Sequence, residues 1–174
     1  MKIHYFLFIV LISIGSSCVK TSESENSNYT EYSVEVEISE SDSSYFEKSI
    51  LIDLSSNEFI VENFSNVVGY RIAEIKFDLS NFNGNANAKG DFEIGFSQYG
   101  QWIGNPMNIN QIDLKEFSDQ SDFLYINLAP ETISLAQESM NKYHMISLDL
   151  KGNVSAKPVS FTTTFFVTII VRSN

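Results

Sequence analysis

One cysteine, three prolines, one tryptophan and two histidines are all that these 174 residues hold of those types. A lone cysteine cannot close a disulfide within the chain, so the core alone must hold the fold. With His4 and His144 as the only histidines, a zinc site finds no ligand set, and no metal or other cofactor is expected. Basic residues are scarce as well: 11 Lys and Arg stand against 22 Asp and Glu, a formal charge of −11. Nucleic acid and anionic lipid are held by clustered Lys and Arg, which this composition does not supply. Long apolar runs are also missing. The longest one, Tyr5 to Ile14 with Ser13 within it, falls well short of the roughly 20 residues that a membrane-spanning helix needs.

That run has a different meaning. Lys2 and His4 precede it and Gly15-Ser16-Ser17-Cys18 follow it. A short basic start, an apolar stretch and small residues at a processing site make a signal peptide over residues 1–17. From Ile14 to Cys18 the chain resembles the lipobox of bacterial lipoproteins, with Ser16, Ser17 and Cys18 in place and Gly15 where Leu is usual. The resemblance implies that Cys18 is acylated and becomes the new N-terminus, a lipid anchor to the membrane. Val19 is not the Asp that retains lipoproteins at the inner membrane, so the resemblance implies the outer membrane of a Gram-negative bacterium. Lys20, Glu23 and Glu25 are similar to a surface-export tether, with Thr21 and Ser22 intervening. Periplasmic face and cell surface both stay open.

Residues 18–30, rich in Ser, Glu, Asn and Thr, read as a disordered polar tether behind the acylated cysteine. Residues 31–174 read as one domain. Without residues 1–17, 157 residues remain, and losing Lys2 takes the formal charge to −12. No transmembrane span is left after processing.

In the domain, apolar residues recur at every second position. Tyr32, Val34, Val36 and Ile38 alternate with polar neighbours, as do Ala73, Ile75, Phe77 and Leu79. Phe92, Ile94 and Phe96 repeat the pattern, and so do Ile146, Leu148 and Leu150. The longest instance, Ser160 to Arg172, puts Phe161, Thr163, Phe165, Val167, Ile169 and Val171 on one face. Period 2 with β-branched and aromatic residues is the signature of half-buried strands. Shorter strand candidates lie at Ser49–Leu54, Ile109–Leu114 and Phe123–Leu128. Asn81 to Asn85 reads as a turn, and Ala156-Lys157-Pro158 as the link of a hairpin between the last two strands. A helix opens at Pro130, with Ile133, Ala136, Met140 and Tyr143 on one face. Asn57 to Val68 fits either a short helix or a loop.

Seven or eight short strands in one domain predict an all-β fold, a single antiparallel β-sandwich of immunoglobulin-like kind, with one short helix near residues 131–143. A membrane β-barrel fits less well, because the solvent-side positions carry Glu, Asp and Lys instead of an apolar band.

Chemistry is thinly signalled. Gly95-Phe96-Ser97-Gln98-Tyr99-Gly100 has one residue too many for a nucleophile elbow and lies within a strand pattern. Gln101-Trp102 stands where a P-loop needs Lys-Ser/Thr. Asp78 to Asp91 is rich in oxygen ligands, but Leu79 and Gly90 occupy the two anchoring positions of a calcium loop aligned on Gly84. His144 reads as a helix-end surface residue. No catalytic set emerges.

One stretch suits ligand binding: Gln98, Tyr99, Gln101, Trp102 and Asn105 in a glycine-containing connection. Aromatic faces stack on sugar rings while amides bond to hydroxyls, so these residue types fit a glycan. The same Trp102 could instead plug an open end of the sandwich. The expectation is therefore a non-catalytic envelope lipoprotein that contacts a protein partner or acts in adhesion. A glycan-binding module using the Tyr99–Trp102 loop is the alternative, and an enzyme without an assignable site is the third class.

Overall fold

The computed structural model describes residues 24–39, 41–56, 60–61, 66–120 and 122–173. Cys18 and the signal segment lie outside the described residues. In chain order the elements are β1 (Ser24–Ile38), β2 (Tyr45–Asp53), β3 (Val67–Gly84), β4 (Lys89–Gln98), β5 (Gln101–Trp102) and β6 (Met107–Asp113). There follow α1 (Leu114–Asp119), β7 (Leu124–Tyr125), α2 (Pro130–Tyr143), β8 (Met145–Val154) and β9 (Val159–Ser173).

The strands form two antiparallel sheets, as the alternation requires. The first has the order β1-β9-β3-β7, and the second β2-β8-β4-β5 with β6 also paired to β4. The sandwich and its principal helix stand as read from the sequence. The strand order within it is not the ABED/CFG order of immunoglobulin domains. Pairs nest from the ends of the chain inward: β1 with β9, β2 with β8, β3 with β7, β4 with β6. That is the double Greek key of a jelly roll. Alternation tells which face of a strand is buried and nothing about its neighbour, so topology was outside its reach.

For the same reason, the hairpin expected at Ala156-Lys157-Pro158 does not form. β8 belongs to the second sheet and β9 to the first, so this link crosses the end of the sandwich. Crossing lets both strands turn their apolar faces to one shared core. The strand start also moves. Residues 24–30, expected as tether, pair with residues 167–173 of β9. Polar side chains do not prevent this, because the backbone ladder bonds regardless of side-chain type.

Five phenylalanines interlock the sheets. Phe165 and Phe77 from the first sheet lie 5.3 Å apart, and Phe77 meets Phe92 of the second at 5.9 Å. Phe46 meets both Phe92 and Phe161 at 6.0 Å. Every residue assigned to the inner face of β9 is buried. On β3 a register shift between Ile72 and Glu74 inserts an extra residue, so Ile72 is buried and Ala73, expected inside, is exposed.

Helix α2 covers the part of β3 that short β7 leaves unpaired. The backbone N–H of Tyr70 donates to Asn141 Oδ1 at 2.8 Å, and that of Ile72 to Gln137 Oε1 at 3.0 Å. Side-chain amides thus serve an edge that would otherwise stay open. Ala136 and Met140 are buried, while Tyr143, the fourth residue expected on that face, ends the helix and is exposed. His144 caps α2 with φ 55°, its N–H donating to the Met140 carbonyl at 2.8 Å. The Asp78–Asp91 stretch resolves into strand and turn: Asn81 sits at a bulge with φ 54°, and Asn85 Oδ1 accepts the N–H of Asn87 at 3.0 Å.

Candidate functional site on the outer face of the second sheet

The outward residues of β2, β8 and β4 form cross-strand rows, and three features follow one another along this face. At the end nearest α2 lies an apolar groove of about 380 Å³, lined by Leu51, Ser97, Tyr99, Tyr143, Met145 and Ser147 among others. Trp102 lies in the middle. At the far end a polar cleft of about 140 Å³ is lined by Tyr45, Asp91, Glu93, Asn108, Asn110 and Asn153, with Lys151 on its wall.

The loop singled out from the sequence proves to be a tight hairpin. β4 pairs with β5 as Ser97 with Trp102 and Gln98 with Gln101, leaving Tyr99 and Gly100 as the turn at φ 52° and 77°. Two central residues at positive φ make the type I′ turn that matches strand twist. Tyr99 therefore stands at the tip, 89% exposed. Trp102, opposite Ser97, must share its outward direction. It neither plugs the end of the sandwich nor stands free. Gly95 has no side chain to displace it: a Cβ there would come within 3.2 Å of the indole. The Lys151 ammonium lies 4.9 Å from the ring centroid. Tyr99 and Trp102 thus do not form one platform. Gln98 lies beside Tyr99, Gln101 is exposed, and Asn105 sits apart, its N–H donating to Thr132 Oγ1 at 3.1 Å.

Lys151 organises this face. Its Nζ is 2.7 Å from Glu47 Oε1. That hydrogen bond holds the Glu47 carboxyl below its usual range and raises Lys151 above its own. One row along, Asp149 is only 3% exposed and accepts a 2.6 Å hydrogen bond from Ser49 Oγ. At the cleft, Asp91 Oδ1 accepts the N–H of Gln111 at 2.7 Å. The arrangement offers hydrogen-bond donors and acceptors together with the Lys151 cation. His144, the other residue weighed for chemistry, is engaged through Nδ1 with the Tyr70 hydroxyl at 3.2 Å.

Sequence reading missed Leu51, Tyr143 and Met145 in the groove and Asn108, Asn110 and Lys151 at the cleft. A signal for the groove was present. Ile50-Leu51-Ile52 and Met145-Ile146 break the alternation with an apolar residue at an outward position.

No protein-family model matches this chain. No curated protein matches it either. Among solved structures the chain is similar to the decameric BFDV capsid protein at 11% identity and a TM-score of 0.45, covering 86% of this chain and 99% of that one. It is similar to a structure of Desmodium yellow mottle tymovirus at 8% identity and a TM-score of 0.38, covering 99% and 94%. A tobacco necrosis virus structure follows at 10% and 0.34, covering 86% and 98%. Likenesses this distant carry no functional argument, and the jelly-roll assignment rests on the strand order.

Proposed function

We propose that this chain is a non-catalytic cell-envelope lipoprotein, anchored through Cys18 at the outer membrane of a Gram-negative bacterium. Its sandwich serves there as a protein-interaction or adhesin-like domain. The observation that carries this reading is the run from Tyr5 to Ile14 ending in Ser16-Ser17-Cys18, the only cysteine, with strand β1 beginning six residues later at Ser24. Several acyl chains hold a protein firmly, since each buried methylene adds about 0.8 kcal/mol. Cys18→Ser is expected to abolish fatty-acid incorporation and lipoprotein processing. Labelled palmitate retained by the variant would mean that Cys18 is not the anchor.

A glycan ligand is the second reading, favoured by the polar cleft and by Trp102 on the same face. Asn108, Asn110, Asn153 and Glu93 offer the donors and acceptors that sugar hydroxyls require, and Lys151 of the same cleft lies over the Trp102 ring. In this arrangement the binding surface is the sheet face, and the hairpin tip at Tyr99 stands outside it. On a glycan array, Trp102→Ala and Asn108→Ala should each lose the signal while Tyr99→Ala keeps it. An array on which the unaltered protein binds nothing rejects this reading.

A further inference from the structure

The two ends of the sandwich differ in chemistry. At one end, which holds the start of β1, the end of β9 and the start of β3, six of the ten exposed large hydrophobics among the described residues gather: Leu51, Val61, Val68, Tyr99, Tyr143 and Met145. Leu51 is 56% and Met145 43% exposed. The registers place them together, since Ser24 and Val67 both pair with Ser173, Asp53 pairs with Met145, and Ser97 pairs with Ser147. At this end the Leu54 N–H donates to the His144 carbonyl at 2.9 Å, continuing the β2–β8 ladder, and the Tyr70 hydroxyl of the first sheet meets His144 Nδ1 at 3.2 Å. The opposite end carries the crossings at 39–44, 85–88 and 155–158. Its exposed residues include Ser39, Asp42, Asn85, Asn87 and Ser155, and of the ten exposed large hydrophobics Tyr45, at the start of β2, lies beside these loops.

Chain geometry says which end faces the anchor. From Cys18 to Ser24 there are six steps, a reach of at most about 20 Å at 3.3–3.6 Å per residue. The 15 residues of β9 span about 50 Å at roughly 3.3 Å each. An anchored domain therefore keeps its β1-start end beside the bilayer and cannot bring its polar end there. We propose that the apolar end, with the Tyr99 hairpin tip, Tyr143, Leu51 and Met145, seats on the lipid surface that holds the Cys18 acyl chains. This rests on the anchoring proposed above.

Tyrosine suits that place. Its ring is apolar and its hydroxyl wet, which is why it gathers at membrane–water boundaries. The interaction does not need anionic lipid. Acidic charge elsewhere on the domain favours a zwitterionic surface, and Lys142 places its Nζ 4.9 Å from the ring of Tyr143, a groove residue. Seating the apolar end leaves the polar cleft and the distal loops pointing away from the membrane, free for a partner.

The test uses the lipidated full-length protein. Acylation consumes the only native thiol, so Tyr99→Cys, Leu51→Cys and Ala86→Cys each offer one site for an environment-sensitive fluorophore. Each labelled protein is reconstituted into phosphatidylcholine vesicles whose acyl chains are brominated. Loss of emission at positions 99 and 51, with none at 86, is the expected result. Equal quenching at 99 and 86, or none at any position, overturns the orientation. A blue-shifted label at 99 that bromine does not quench overturns it in favour of a protein occupant. Mass spectrometry of the same samples separates the two layers: an N-terminal peptide without fatty acid overturns the anchoring, and the orientation with it.

Discussion

Phe165→Ala is expected to lower the stability of the domain by about 3–5 kcal/mol, the cost of emptying a fully packed aromatic site. Phe165 is 0% exposed and lies on the inner face of β9, with the ring of Phe77 5.3 Å away. β9 is flanked by β1 and β3 along nearly its whole length, so the backbone has no room to collapse into the void. Domains of this kind are stable by about 5–15 kcal/mol, and the substitution removes a large part of that margin. The neighbouring Phe166 supplies the control. It points to the opposite face, where it is only half-buried and meets Phe123 edge-on at 5.0 Å. Phe166→Ala should therefore cost much less. Urea unfolding of the two variants distinguishes the faces. Midpoints shifted equally, or a larger shift for Phe166, would place β9 one residue out of register, because a one-residue slip exchanges every inward side chain for its neighbour.

Gly84→Ala is expected to be comparably damaging for a different reason. Gly84 has φ +133°, where side chains are rarely found, and strain of that kind costs about 1–3 kcal/mol. A Cβ there would also lie 2.2 Å from the Pro158 carbonyl oxygen and 2.8 Å from the Val159 Cα. Both are backbone atoms, so no rotamer change relieves the contact, and overpacking adds a further cost of about 1–3 kcal/mol. The site is where β3 meets the link between β8 and β9. A shift there strains the crossing that puts those strands in different sheets. Gly100→Ala isolates the backbone effect, since Gly100 has φ +77° and nothing within 4 Å of its would-be Cβ. Thermal unfolding should rank Gly84→Ala well below Gly100→Ala. Equal melting temperatures would mean that the close approach to Pro158 is absent in solution.

The candidate site was only partly legible in the chain. Gln98, Tyr99, Gln101, Trp102 and Asn105 were picked as a group for their composition, and the fold scatters them. A two-residue turn sends Tyr99 to a tip and directs Trp102 onto the sheet face, where Lys151, 49 residues away in sequence, lies over it. Which aromatic meets which cation depends on β4 and β8 being neighbours. Local pattern carries no information about that.

What the sequence determined by itself is everything that depends on neighbours along the chain. Alternation marked Phe92, Ile94 and Phe96, Ile146, Leu148 and Leu150, and the whole inner face of β9, because successive strand residues point to opposite sides and only one side meets the core. Pro130 and the spacing of Ala136 and Met140 marked helix α2 in the same way. Tertiary structure alone decided the rest. The nested jelly-roll order, the Ala73 reversal at the β3 bulge and the crossing at residues 155–158 follow from how two sheets close over one core. The apolar end and the polar cleft follow from it too, since each draws residues from strands far apart in the chain. Side-chain direction is a property of consecutive residues, whereas adjacency of strands is a property of the whole packed chain.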